Sequence, residues 1–68
     1  MNKHYIARWI DSQSLGTIGN VSFVARSTAE AVRKADRIGR EIGLPSSART
    51  IHEGYNLVHS KRYEYSNG

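Results

Sequence analysis

The sequence predicts an α+β domain in which an antiparallel sheet of four or five strands, in the order β-β-α-β-β, packs on a single helix. Three observations predict it. Apolar residues alternate with period two up to Ala25 and again after Thr50, whereas between Thr28 and Ile42 they recur every three or four residues. The 68 residues suffice for one domain, residues 1–68, which would bury roughly 60% of the surface that its unfolded chain exposes. A helix with one apolar stripe needs one sheet to cover it.

The first strand is predicted from Lys3 to Asp11. Alternation places large apolar side chains on both of its faces. One face carries Tyr5, Ala7 and Trp9, and the other carries Ile6, Arg8 and Ile10. Since one helix covers one side of a sheet, the second face must meet solvent, another element or another molecule.

The segment from Ser12 to Asn20 is rich in Gly and Ser and predicts a long hairpin connection or the tip of a twisted ribbon. We expect Leu15 and Ile18 to pack over a sheet edge. The alternative is that they mark the tip as a contact site.

The second strand, Val21 to Ala25, leads directly into the helix. Ser27 and Glu30 are spaced as a capping box, so the helix should begin at about Thr28. It should end near Ile42, because Gly43 and the following Leu44-Pro45 form a stop signal. The apolar stripe of this helix consists of Ala31, Val32, Ala35, Ile38, Gly39 and Ile42.

A second hairpin should follow Pro45-Ser46-Ser47. We expect a three-residue loop, His52-Glu53-Gly54, with Gly54 in the left-handed region and Ile51 paired with Tyr55. A two-residue Glu53-Gly54 loop would place Ile51 against Asn56 and fits less well. The preferred register puts Ile51, Tyr55, Leu57 and His59 on one face, and Asn56 and Val58 on the other. Residues 61–65 alternate again and predict a short fifth strand or an extension of the last one, and residues 66–68 should fray.

The sequence carries no motif of an enzyme, metal site or cofactor site. His4, His52 and His59 are far apart and lack the spacing of metal ligands. The carboxylates show no close pairing. Glu30 with Lys34 and Asp36 with Arg40 are instead spaced as helix-surface ion pairs. We therefore expect no catalytic residue, no metal and no cofactor.

The candidate binding residues are basic and aromatic residues predicted at the surface. Ten Lys and Arg against six Asp and Glu give a formal charge of +4, which favours polyanions or acidic proteins as partners. Arg33, Arg37 and Arg40 form one stripe opposite the apolar one, which indicates a basic ridge or simply a solvated face. A second cluster interleaves cations with aromatic groups, as on surfaces that bind phosphates, bases or protein hot spots. The candidate partner-binding residues are Arg33, Arg37, Arg40, Lys61, Arg62, Tyr63, Tyr65, Arg8 and Trp9.

Cysteine is absent, and no apolar run reaches the length of a membrane span. The N-terminus lacks the pattern of a secretory signal. These features predict a cytoplasmic protein without a membrane partner. We expect a monomer or a weak homodimer.

The size, the basic charge, the order of elements and the junction Val24-Ala25-Arg26-Ser27-Thr28-Ala29-Glu30-Ala31 resemble small phage-encoded anti-CRISPR proteins that inhibit type I-F surveillance complexes. The resemblance implies a non-enzymatic protein of the host cytoplasm that binds Cas subunits where guide RNA or target DNA would lie. It assigns no role to any residue. A protein-binding inhibitor or adaptor therefore ranks first, a small basic nucleic-acid-binding module second, and an enzyme third.

Overall fold

The computed structural model describes residues 2–11, 13–44 and 47–62. Its elements are β1 (Lys3–Ile10), β2 (Thr17–Ala25), α1 (Thr28–Glu41), β3 (Ala48–Glu53) and β4 (Asn56–Lys61). The four strands form one antiparallel sheet in the order β2-β1-β3-β4. The predicted α+β class and element order are confirmed. The expected fifth strand, residues 61–65, falls mostly outside the described residues.

Strand β2 is longer than predicted. It begins at Thr17 rather than Val21, because Thr17, Gly19 and Asn20 still pair with β1, while Ile18 is the extra residue of a bulge opposite Trp9 and Ile10. The connection is correspondingly short. It is closed by Asp11 N, which donates to Gly16 O at 2.8 Å.

Neither apolar residue of the predicted tip packs over a sheet edge, so that expectation is wrong. Leu15 has a φ of 60° and is largely exposed in the turn. Ile18 lies within β2 and is 48% exposed. The reason is that the tight turn holds Leu15 away from the sheet.

Helix α1 has the predicted caps. Ser27 Oγ accepts from Glu30 N at 3.2 Å, while Glu30 Oε1 accepts from Arg26 N at 3.3 Å, one residue earlier than in a standard capping box. At the other end Gly43 has a φ of 82°, and Leu44 N donates to Gly39 O at 2.7 Å. This is a Schellman stop, which needs the left-handed conformation that glycine adopts without strain.

The helix packs closely because its inner face is made of small residues. Ala31, Ala35 and Gly39 are buried on the sheet. A Cβ at Gly39 would lie 3.1 Å from Trp9 Nε1, so a larger residue would require the Trp9 ring or the helix to shift by a few tenths of an ångström. Ile42 was predicted on the buried stripe but is the C-cap and is exposed, since the helix has ended there. The buried apolar core comprises Tyr5, Ala7, Trp9, Ala25, Ala31, Ala35 and Ile51.

The predicted register of the second hairpin is wrong. Glu53 pairs with Asn56, which leaves Gly54-Tyr55 as a two-residue turn with Gly54 at a φ of 61°. Glycine at the first central position is typical of a type II′ turn, whose twist matches that of the strands. Tyr55 therefore lies in the turn rather than opposite Ile51.

A register shift in β4 also changes which side chains share a face. Ile51 pairs with His59 and His52 with Leu57, so Val58 is the extra residue of a bulge. Val58 packs against the core, whereas Leu57 lies on the opposite face of the sheet. Ile51 and His59 keep the common face that was predicted for them.

Candidate protein-binding surface

Among residues 2–11, 13–44 and 47–62, α1 covers one face of the sheet, and no element covers the other. Tyr5, Ala7 and Trp9 are buried beneath the helix, and the alternate residues of β1 point away from it. The strand registers extend this second face across the sheet. We call it the open face: His4, Ile6, Arg8 and Ile10 of β1, Asn20, Ser22 and Val24 of β2, Ala48, Thr50 and His52 of β3, and Leu57 and Ser60 of β4.

Exposed apolar side chains lie towards both edges of the open face. Val24 on β2 is 39% exposed and Leu57 on β4 is 57% exposed. Tyr55, in the turn beside Leu57, is 103% exposed. Ile6 and Ile10 between them are half-buried. The face is thus a mixed surface rather than the solvated polar face of many antiparallel sheets.

A depression of about 330 Å³ lies on this face, lined by Ile6, Arg8, His52, Gly54 and Tyr55. Ile6 pairs with His52 across the strands, which gives the depression an apolar and aromatic wall. Arg8 is exposed and takes part in none of the ion pairs among the described residues. Its guanidinium can therefore donate to a carboxylate or carbonyl of a partner that fills the depression.

The basic ridge lies on the other side of the domain. Arg33, Arg37 and Arg40 are all exposed on α1, facing away from the sheet, as the helical spacing predicted. Arg8, by contrast, belongs to the open face. The structure therefore places Arg8 and the ridge arginines on two opposite surfaces.

The second predicted cluster is described only in part. Lys61 ends β4 opposite Arg49, whose side chain faces the helix, and Lys61 is half-buried there. Arg62 follows the strand and is exposed. Tyr63 and Tyr65 lie outside the described residues.

Trp9 was expected to join a contact surface, but it is fully buried. Its ring lies under Gly39 of α1, at the centre of the core. Strand alternation could not decide this, because both faces of β1 carry large apolar groups. Trp9 is a core residue, and its prediction as a partner-binding residue is wrong.

An ion pair inside the helix–sheet interface escaped sequence reasoning. Arg49 is 1% exposed, and its Nη1 donates to Asp36 Oδ1 at 2.7 Å. The expected pairing of Asp36 with Arg40 is therefore wrong, because Asp36 turns towards the sheet. Glu30 with Lys34 is confirmed, at 3.5 Å. The available signal was the position of Arg49 two residues before Ile51, which places both on the helix side of β3.

No group of three or more His, Asp or Glu side chains that could hold a metal ion occurs in the described parts of the chain. Across the same residues, no helix has the length and apolar character needed to cross a membrane. Comparison with protein-family models, with curated proteins and with solved structures gives no match to this chain.

Proposed function

We propose that the protein is a small non-enzymatic inhibitor that binds a protein complex through the open face of its sheet. The observation that carries this proposal is the uncovered face itself. Val24 and Leu57 are exposed on this face, and Tyr55 is exposed at its rim. Arg8, on the same face, forms none of the ion pairs among the described residues. Exposed apolar side chains bordered by polar groups are typical of interaction sites, and Tyr and Arg are enriched among the residues that dominate binding energy.

Charge favours a protein over a nucleic acid as the partner of this face. Arg8 is the only Arg or Lys on the open face, and none of the face's residues is a carboxylate. Phosphate backbones are bound by several Lys and Arg side chains together. A depression with an apolar wall and one cation instead suits an apolar or hydrogen-bonding side chain of another protein.

The resemblance to inhibitors of type I-F surveillance complexes makes Cas subunits the first partners to test. In this proposal the protein covers a site that guide RNA or target DNA would occupy, and so blocks nucleic-acid binding. The ridge on α1 then faces away from the complex.

The test uses a purified type I-F surveillance complex and a matched pair of double variants. Tyr55→Ala with Leu57→Ala alters the open face, and Arg33→Ala with Arg37→Ala alters the ridge. All four side chains are exposed, so each double variant should change stability by under about 1 kcal/mol. Loss of the two most exposed apolar side chains of this surface should weaken binding about 30-fold or more.

We expect the open-face variant to lose binding and to restore binding of target DNA, and the ridge variant to behave as the wild type. Circular dichroism is the folding control. Loss of binding in the ridge variant alone would refute the open face as the contact surface. No binding by the wild-type protein would remove the Cas complex as its partner.

A second candidate function is a nucleic-acid-binding module, which the ridge of three exposed arginines favours. Titration of duplex and single-stranded DNA over a salt series separates it from the first. A phosphate binder shows a steep loss of affinity with salt, and Arg33→Glu with Arg37→Glu should then abolish binding. Negligible affinity at moderate salt would exclude this function.

A further inference from the structure

Strand β2 forms one edge of the sheet, and the segment between its bulge at Ile18 and the Val24 carbonyl, to which Lys34 donates, lacks the features that normally protect an edge. The strand is nine residues long and contains no charged residue and no proline. Long, uncharged edges offer free N–H and C=O groups to another strand. The other edge, β4, is six residues long, carries a central bulge and ends in Lys61. The two edges are therefore not equivalent.

Side chains of β2 remain partly exposed on both faces of the sheet. Val21 and Phe23 face the helix but are only half-buried, although the Phe23 ring stacks on Tyr5 with centroids 6.1 Å apart. Ile18 and Val24 are exposed. A strand added beside β2 would cover apolar surface on both faces at once, which a ligand on one face could not do.

The sequence of β2 is complementary to itself when it is read antiparallel about Val21. Asn20 then lies opposite Ser22, and Gly19 lies opposite Phe23, whose ring covers the bare glycine backbone. Ile18 is the extra residue of the bulge in β2, so the regular pairing runs from Gly19 to Phe23. Asn20 and Ser22 match in polarity, and no charge meets a like charge.

The ends of this pairing are complementary in charge. Arg26, just after β2, is exposed, and antiparallel pairing brings it to the end of the second copy's β2 that Gly16 precedes. Gly16 O accepts from Asp11 N, so the Asp11 carboxylate lies in the same turn. Hydrogen bonds from Gln13 N and Ser14 Oγ hold the pKa of Asp11 below its ordinary value, which keeps it anionic. At the same end Lys34 Nζ donates to Val24 O at 2.7 Å, so this carbonyl is occupied and the open part of the edge is its centre.

We propose that β2 is a homodimer interface, in which two copies of the chain pair their β2 strands antiparallel about Val21 and form a continuous eight-stranded sheet. A two-fold axis through Val21 makes the contact isologous and closed. The two open faces become one continuous surface. This inference concerns the protein alone and does not depend on the proposed function.

The first test changes charge at two exposed positions of the edge. In Asn20→Lys with Ser22→Lys, each lysine meets a lysine of the second copy, whereas in Asn20→Glu with Ser22→Lys each glutamate meets a lysine. The double lysine variant should raise the dimer dissociation constant about tenfold or more. The glutamate–lysine variant should keep this constant within about threefold of the wild-type value. Leu57→Lys with Ser60→Lys adds the same charge to the other edge and is the control.

Sedimentation equilibrium measures association against the 7.6 kDa monomer mass. The proposal expects a concentration-dependent dimer that only the double lysine variant of β2 loses. A wild-type protein that stays monomeric at about 1 mM, or a dimer lost in the control variant, would overturn it.

The second test fixes the register and does not depend on charge. The chain has no cysteine, so a single Val21→Cys creates the only thiol, and it meets its own symmetry mate across the interface. Mild oxidation should give a disulfide-linked dimer with Val21→Cys and little with Ser60→Cys. Equal cross-linking of the two, or preferential cross-linking of Ser22→Cys, would overturn the pairing about Val21.

Discussion

Removing the partner of the buried arginine should be far more costly than removing the arginine itself. The perturbation is Asp36→Ala, which leaves the Arg49 guanidinium buried without its 2.7 Å contact. Arg49 is 1% exposed and its Nε has no partner among the described residues. After this substitution, the charge keeps no acceptor that the structure identifies.

The magnitude follows from the exposure of the two partners. Breaking a buried ion pair on one side costs about 3–5 kcal/mol, and a hydrogen bond to a charged group contributes about 1.5–3 kcal/mol. The Asp36 side chain is 42% exposed, so water screens the pair and the lower range applies. Alanine also recovers up to about 0.7 kcal/mol of helix propensity. We therefore expect a net loss of about 2 kcal/mol.

The assay is urea unfolding at neutral pH, with midpoint and slope fitted separately. Glu41→Ala, an exposed carboxylate on the same helix, should stay within about 0.5 kcal/mol of the wild type. Arg49→Met should lower the free energy of unfolding by less than Asp36→Ala does, because it removes the charge and keeps most of the side-chain volume. In the Arg49→Met background, Asp36→Ala should no longer destabilise the protein and should show only the helix-propensity gain of up to about 0.7 kcal/mol. If Asp36→Ala and Glu41→Ala cost the same, the ion pair does not stabilise the fold.

Two further substitutions test the helix phase and the turn. Ala35→Asp should unfold the domain, because it places an unpaired charge in the fully buried helix–sheet contact, whereas Ala29→Asp at an exposed position should be tolerated. Equal thermal melts of these two variants would contradict the helix orientation. Gly54→Val should lower the free energy of unfolding by about 1 kcal/mol or more, since a β-branched residue resists a φ of 61°. The loss would come from backbone strain and not from a clash, because a Cβ there meets no neighbouring atom within 4 Å. Unchanged stability in urea would mean that the turn does not need glycine.

The sequence was sufficient where a local pattern has one solution. Ser27, Glu30 and Gly43 fix the ends of α1, because they satisfy backbone groups a few residues away. The exposed ridge on α1 also followed from helical spacing alone. Residue type and spacing decide these features before any packing occurs.

The second hairpin shows where local pattern failed. Gly54 was correctly placed at positive φ, yet two loops could use it, and the bulge at Val58 reset the register. A bulge leaves no signal in the alternation, since it depends on which side chains the core accepts. Only the structure therefore shows that Leu57 lies on the open face and Tyr55 at its rim.

The sequence by itself determined an α+β domain with one capped helix, a sheet on its small-residue face and a cationic ridge turned to solvent. Only the tertiary structure decided which face of β1 the helix covers, and so buried Trp9 and exposed Arg8. It also paired Asp36 with Arg49 rather than Arg40 and left β2 at an edge. The physical reason is that periodicity separates two faces of an element but does not say which face is covered, because that depends on contacts between residues far apart in the chain.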